Sequence, residues 1–150
     1  MRKKIIISAC LLGEYCRYDG KTKALNAVID AFKEYEIIPF CPEAPLFGTP
    51  RERINVVATD GEERIITDVT KEDVTLRLEK EILSFIEKNK NIDAIVLKSK
   101  SPSCGNETTP IQNINGEIIE YGDGIACKIF KTKYKNIPLL DENNFNTFLL

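Results

Sequence analysis

A chain of 150 residues is long enough to bury roughly 70% of its unfolded surface as one domain without staples. Its 21 Lys and Arg against 23 Asp and Glu leave none of the basic excess that a nonspecific nucleic-acid binder uses. It contains no histidine, which excludes a nucleophile activated by imidazole, an iron site of two histidines and a carboxylate, and a mixed cysteine-histidine zinc finger.

Any general acid or base must therefore be Glu, Asp, Lys, Tyr or Cys. The basic start Met1-Arg2-Lys3-Lys4 leads into an apolar run too short for a signal peptide, and no window approaches the roughly 20 apolar residues of a membrane span. A soluble, cytoplasmic protein without a membrane partner is expected. In a reducing cytosol its five cysteines are expected as metal ligands, catalysts or core residues rather than as disulfides.

Residues 4–9, with an unbroken Ile5-Ile6-Ile7 run, predict a buried strand. Gly13 and Asp19-Gly20 make the following segment 10–20 a structured loop. Ala24, Ala27, Val28, Ala31 and Phe32 fall at helical spacing, so Thr22 or Lys23 to about Tyr35 predicts an amphipathic helix. Residues 36–40 predict a second strand, parallel to the first across a right-handed crossover. Segment 44–53, rich in Pro and Gly, predicts a surface loop. Asp60-Gly61 between two β-rich runs predicts a hairpin over 54–67, read either as a flap or as an exposed decoration.

Thr70, with Asp73 at the third position, predicts the start of a helix whose inward stripe is Val74, Leu78, Ile82, Phe85 and Ile86. Residues 93–98 predict a third strand and 137–140 a fourth. Between them come a small hairpin over 111–121 and a helix capped by Asp123 that runs to about Lys133. A last helix starts at Asp141 or Glu142 and docks Phe145, Phe148 and Leu149. Together these elements predict a single α/β domain, three-layered and Rossmann-like, with a mostly parallel sheet and hairpin insertions.

Cys10, Cys41 and Cys104 each follow a predicted strand, at the carboxyl ends where open α/β sheets place ligands. Their spacing matches neither a zinc ribbon nor a ferredoxin run, so the inference that they share one inorganic site rests on the topology. Three thiolates on an iron-sulfur cluster would leave one iron open as a Lewis acid. Cys127 sits on the inward face of a helix and is read as core.

Cys16 is open between a reactive thiol, a fourth ligand and loop packing. Glu43 is read as an acid or base at the rim of the site, or as a carboxylate capping a turn. Ser101 and Ser103 either contribute hydroxyls or close the Ser-Pro-Ser turn. Arg17 and Asp19 are candidate substrate contacts, with an ordinary exposed Arg and an Asp-Gly turn as the alternative.

The segments Ser8-Ala9-Cys10-Leu11-Leu12-Gly13, Cys16-Arg17-Tyr18-Asp19-Gly20, Cys41-Pro42-Glu43, Ser101-Pro102-Ser103-Cys104-Gly105 and Gly122-Asp123-Gly124-Ile125-Ala126 span nearly the whole chain. Together they resemble the motif set of a family of small bacterial proteins, formerly of unknown function, that includes thiouracil desulfidases. The resemblance implies a four-iron, four-sulfur (4Fe-4S) cluster held by Cys10, Cys41 and Cys104. It also implies a small thiolated substrate such as 2- or 4-thiouracil, non-redox hydrolytic release of sulfide, and assistance from Glu43 with Ser101 or Ser103. The chain departs from the family pattern over 44–51, which bears on substrate identity more than on cluster binding. The rival expectations are a thiolate zinc or iron protein using Cys10, Cys16, Cys41 and Cys104, and a thiol redox protein using Cys10 and Cys16, which are not spaced as Cys-x-x-Cys.

Overall fold

The computed structural model describes residues 2–21 and 24–149. In chain order its strands are β1 (Lys4–Ser8), β2 (Glu36–Phe40), β3 (Ile54–Thr59), β4 (Glu62–Thr67), β5 (Ala94–Leu97), β6 (Thr109–Gln112), β7 (Ile118–Gly122) and β8 (Leu139–Asp141). Its helices are α1 (Asn26–Ala31), α2 (Ala44–Phe47), α3 (Thr75–Lys88) and α4 (Ile125–Lys133), with 3-10 turns at Ala9–Leu12 and Phe145–Leu149.

β1 is buried on both sides because it runs inside a parallel sheet of order β2-β1-β5-β8. The period of two sorts its side chains between two cores. Ile5 and Ile7, with Ala94 and Val96 of β5, pack on Val28 of α1, Phe32 just past its end, Leu11 and Phe145. Ile6, with Ile95 and Leu97 of β5 and Phe40 of β2, packs on Leu78 and Ile82 of α3 and on Ala126, Cys127 and Phe130 of α4. Helix, sheet and helix pair are the three expected layers. Pro39 fits because β2 is an edge strand, where a missing N–H removes no ladder bond on the open side.

The two hairpins join. β3 pairs with β6 in parallel, giving a second, mixed sheet of order β4-β3-β6-β7. Ile54, Val56, Ile65 and Ile111 of that sheet belong to the same core as α3 and α4. The hairpin at 54–67 is therefore neither a flap nor a decoration, since its first strand lies inside a sheet that is packed into the body of the protein.

Several local expectations change. α1 covers only Asn26–Ala31, and Ala24 and Ala27 are exposed, leaving Val28 and Phe32 as its buried anchors; the expected start at Thr22 or Lys23 lies outside the described residues. Thr70 does not cap α3: its hydroxyl goes to Glu52 and Thr67, while Asp73 takes the Thr75 amide at 3.0 Å as the helix begins. Asp123 does not cap α4 but accepts from the Glu107 amide at 2.8 Å and pairs with Lys131 at 2.9 Å. Segment 44–53 is not loop throughout, because α2 forms one helical turn there, with a proline in its first turn.

At the carboxyl terminus the chain makes a 3-10 turn in place of an α-helix, burying Phe145 and packing Phe148 on the α1 side. The expected docking of Leu149 lies outside the described side chains. No helix among the described residues is long and apolar enough to cross a membrane.

Candidate active site

Strands β2, β1 and β5 are consecutive in the sheet and parallel, so their carboxyl ends open side by side. Cys41 stands immediately after β2, Cys10 in the turn after β1, and Cys104 in the loop after β5. All three line one pocket of about 620 Å³, a volume typical of small-molecule sites, together with Cys16, Arg17, Glu43, Ser101 and Ser103. The second sheet supplies the facing wall through Ile54, Asn55, Val56, Pro110, Gln112 and Ile118.

The loop bearing Cys104 is shaped by its two serines. Ser101 Oγ accepts from the amides of Ser103 at 3.3 Å and Cys104 at 3.1 Å, closing the turn. Ser103, 1% exposed, instead donates its hydroxyl to Glu43 Oε2 at 2.5 Å. The start of α4 abuts this loop: Ala126 N donates to Ser103 O at 2.7 Å, and Gly124 lies so close that a Cβ there would meet the Ser103 carbonyl carbon at 2.5 Å. That contact explains the glycine of the Gly122-Asp123-Gly124 segment.

Glu43 is buried and has a second partner, Arg51, whose Nε lies 3.4 Å from Oε1. Arg51 also donates from Nη1 to Gly48 O at 3.0 Å, and its amide donates to Tyr18 O at 2.7 Å. One side chain and its backbone thus join the carboxylate, the end of α2 and the loop that carries Cys16.

The thiols are not equivalent. Burial, followed by the charge of Cys41, pushes Cys10 up to about 11, against the pull of Lys98 and Arg17. Burial also pushes the buried Cys104 up, with the charges of Cys41, Glu43 and Cys10 adding to it. Cys41 goes the other way: a hydrogen bond from the Cys16 thiol outweighs its burial, and the amides of Ala44 and Glu43 help, so the thiolate is favoured there and Cys16 is raised in return. Cys41 Sγ lies 3.8 Å from the Cys16 carbonyl oxygen, which accepts from the thiol form. Cys127 is fully buried in the core and burial pushes its thiol up to about 12, as its place on α4 implies.

Among the described residues no three Cys, Asp or Glu side chains are placed to hold a single metal ion. Three soft sulfur donors on separate strand ends suit a polynuclear group whose metals are themselves spread apart. Buried thiols raised in this way also need a cationic core beside them before they give up their protons.

The expected site residues are thereby largely brought together. Asp19 is the exception: it is not on the pocket wall, and its carboxylate takes the Lys21 amide at 2.9 Å and pairs with Arg17 at 3.8 Å. Of the charged residues of the pocket, Arg51, Arg53, Lys98 and Lys100 are not among the expected ones. Arg51 and Arg53 lay in a segment expected to be surface loop, and Lys98 looked like the polar end of a strand.

Fold and site define an α/β protein with a thiol-lined pocket at the carboxyl ends of a parallel sheet, beside a buried carboxylate and hydroxyl. The chain belongs to the 2-thiouracil desulfurase family, whose profile matches residues 5–142. It is 31% identical over 154 residues to YbbK of Bacillus subtilis (strain 168), a protein described as uncharacterized, with 97% of this chain and 99% of that one covered. It also resembles the solved structure of the [4Fe-4S]-dependent thiouracil desulfidase TudS, with a TM-score of 0.73 and 28% identity over 99% of this chain and 96% of the other.

Proposed function

We propose that the protein is a desulfidase that replaces the sulfur of a small thiolated pyrimidine, such as 2- or 4-thiouracil, with oxygen from water and releases sulfide. The observation that carries the reading is the convergence of Cys10, Cys41 and Cys104 on one pocket beside the Glu43–Ser103 pair. The reaction is a hydrolysis without net redox change: a thiocarbonyl and one water give a carbonyl and one hydrogen sulfide.

Cys10, Cys41 and Cys104 are the proposed holders of a [4Fe-4S] cluster. When bound, such a cluster supplies a Lewis-acidic iron that has no protein ligand. Cys16 serves as the hydrogen-bond donor that keeps Cys41 a thiolate. Glu43 takes the proton of the attacking water at its carboxylate and delivers it to the departing sulfur, and Ser103 holds that carboxylate in place. Arg51 fixes the other oxygen of Glu43. Ser101 keeps the Cys104 turn closed. Arg17 meets a polar edge of the substrate while Asp19 anchors its guanidinium. Phe40, Pro42, Ile54, Val56 and Ile118 form the apolar part of the wall, which limits water at the reacting carbon.

The test is sulfide release from 2- and 4-thiouracil by anaerobically loaded protein. Stoichiometric formation of uracil and sulfide is expected. Fully iron-loaded, folded protein that turns over neither compound would remove this reading for these substrates.

A further inference from the structure

The hydroxyl and amide side chains of the pocket wall are, with one exception, held by the protein itself. Ser8 Oγ accepts from the Lys98 amide at 2.9 Å, and Ser99 Oγ donates to Glu142 at 2.8 Å. Ser101 and Ser103 serve the Cys104 turn and Glu43. Tyr18 accepts from Arg53 at 2.5 Å, and Asn55 Nδ2 donates to Asp68 at 2.9 Å. The exception is Gln112, which is half-buried on that wall and whose side-chain amide makes no hydrogen bond among the described residues.

Gln112 closes β6 at an irregular point of the strand ladder. Ile111 opposes Glu120 of β7 but Gln112 opposes Ile118, so Ile119 is left over as a bulge. Bulges bend the ladder and re-aim the side chains beside them. The register places Gln112 on the same face as Ile118, another residue of the pocket wall, and this wall is the one the mixed sheet sets opposite the thiol-bearing strand ends.

A half-buried carboxamide without a protein partner offers donors and an acceptor to whatever fills the pocket. A ligand that covers the amide and leaves them unmet costs free energy, so the site favours one that meets them. Asn and Gln amides pair side by side with a ring edge that shows a donor next to an acceptor. The thiouracils carry such an edge apart from the reacting thiocarbonyl: ring N3–H beside the C2 oxo group in 4-thiouracil, and beside the C4 oxo group in 2-thiouracil.

We propose that Gln112 reads the substrate, accepting the ring N3–H at Oε1 and donating from Nε2 to the neighbouring oxo group, an inference that rests on the desulfidase reading above. Held by that edge from the far wall, the ring turns its thiocarbonyl toward the thiols. The class selected is a cyclic thioamide with an intact lactam edge.

The test measures sulfide release from 4-thiouracil and 3-methyl-4-thiouracil by anaerobically loaded wild type, Gln112→Leu and Gln112→Glu, with iron content and circular dichroism recorded for each protein. Wild type should use the methylated ring about 10- to 100-fold less efficiently in kcat/KM. Gln112→Leu should lose a similar factor on 4-thiouracil, chiefly through KM, and treat both rings nearly alike with iron content and spectrum unchanged. Gln112→Glu keeps the shape without the donor and should also raise KM for 4-thiouracil.

Equal use of both rings by wild type overturns the proposal, as does a Gln112→Leu protein that keeps the wild-type KM. A loss of the same size on both rings marks a structural effect and overturns it too. If Gln112→Leu does not fold, Gln112→Glu decides: a raised KM with fold and iron intact upholds the proposal, and an unchanged KM overturns it. Iron-loaded wild type that releases no sulfide from 2- or 4-thiouracil fails the desulfidase reading and this inference with it, whereas turnover indifferent to Gln112 fails this inference alone.

Discussion

Glu43 is a carboxylate enclosed by the fold, and its two neighbours divide the work of keeping it there. Ser103 donates to one oxygen and Arg51 faces the other. Glu43→Gln keeps the shape but removes the proposed proton acceptor, so kcat for sulfide release should fall by about 10²–10⁴-fold with iron content unchanged, as steady-state kinetics and metal analysis would show. Arg51→Met leaves a buried carboxylate without its cation, and denaturant unfolding should record a loss of roughly 3–5 kcal/mol. The cysteines and Glu43 were legible in the sequence because their chemistry is rare and their positions follow strand ends. Arg51 was not legible, since an arginine in a Pro- and Gly-rich segment looks the same whether it faces water or closes an ion pair.

Strands were easier to read than helix ends. An isoleucine run buried on both faces has few alternatives, and β2 (Glu36–Phe40) begins and ends where its pattern says. Alanines at helical spacing in α1 said little, because a methyl group is tolerated on either face and only Val28 and Phe32 anchor the helix. Caps failed for a related reason: Thr70 and Asp123 found partners distant in sequence that a local reading cannot see.

Two predictions belong to this scale. Gly124→Ala would drive a methyl into the Ser103–Cys104 backbone at the start of α4, so the variant should lose cluster and activity together, measured as iron content after reconstitution. The second concerns the junction of β4 and α3, where Arg64, opposed by burial and helped by Thr75, holds the Asp73 carboxyl down from 3.8 to about 2. The folded value lies below the unfolded one, so this stabilisation is present above about pH 4 and is lost as the pH falls toward 2. The stability gap between wild type and Asp73→Asn should therefore close between about pH 5 and pH 2 in urea titrations.

At the scale of the whole molecule, the pocket exists because two sheets meet. The parallel sheet contributes three adjacent strand ends with their sulfur, and the mixed sheet contributes the opposite wall. The first half was foreseeable from strand-helix-strand logic. The second was not, because the pairing of β3 with β6 joins two hairpins far apart in sequence, and neither hairpin carries a local signal for the other.

The central claim, that Cys10, Cys41 and Cys104 hold a cluster at this junction, is tested most directly by iron and acid-labile sulfide content after anaerobic reconstitution of wild type and the five single Cys→Ser variants. Wild type, Cys16→Ser and Cys127→Ser should carry about four iron and four sulfide per chain, while Cys10→Ser, Cys41→Ser and Cys104→Ser should lose the cluster. A wild type that binds metal without acid-labile sulfide, or a full cluster retained in any of the last three variants, would contradict the account.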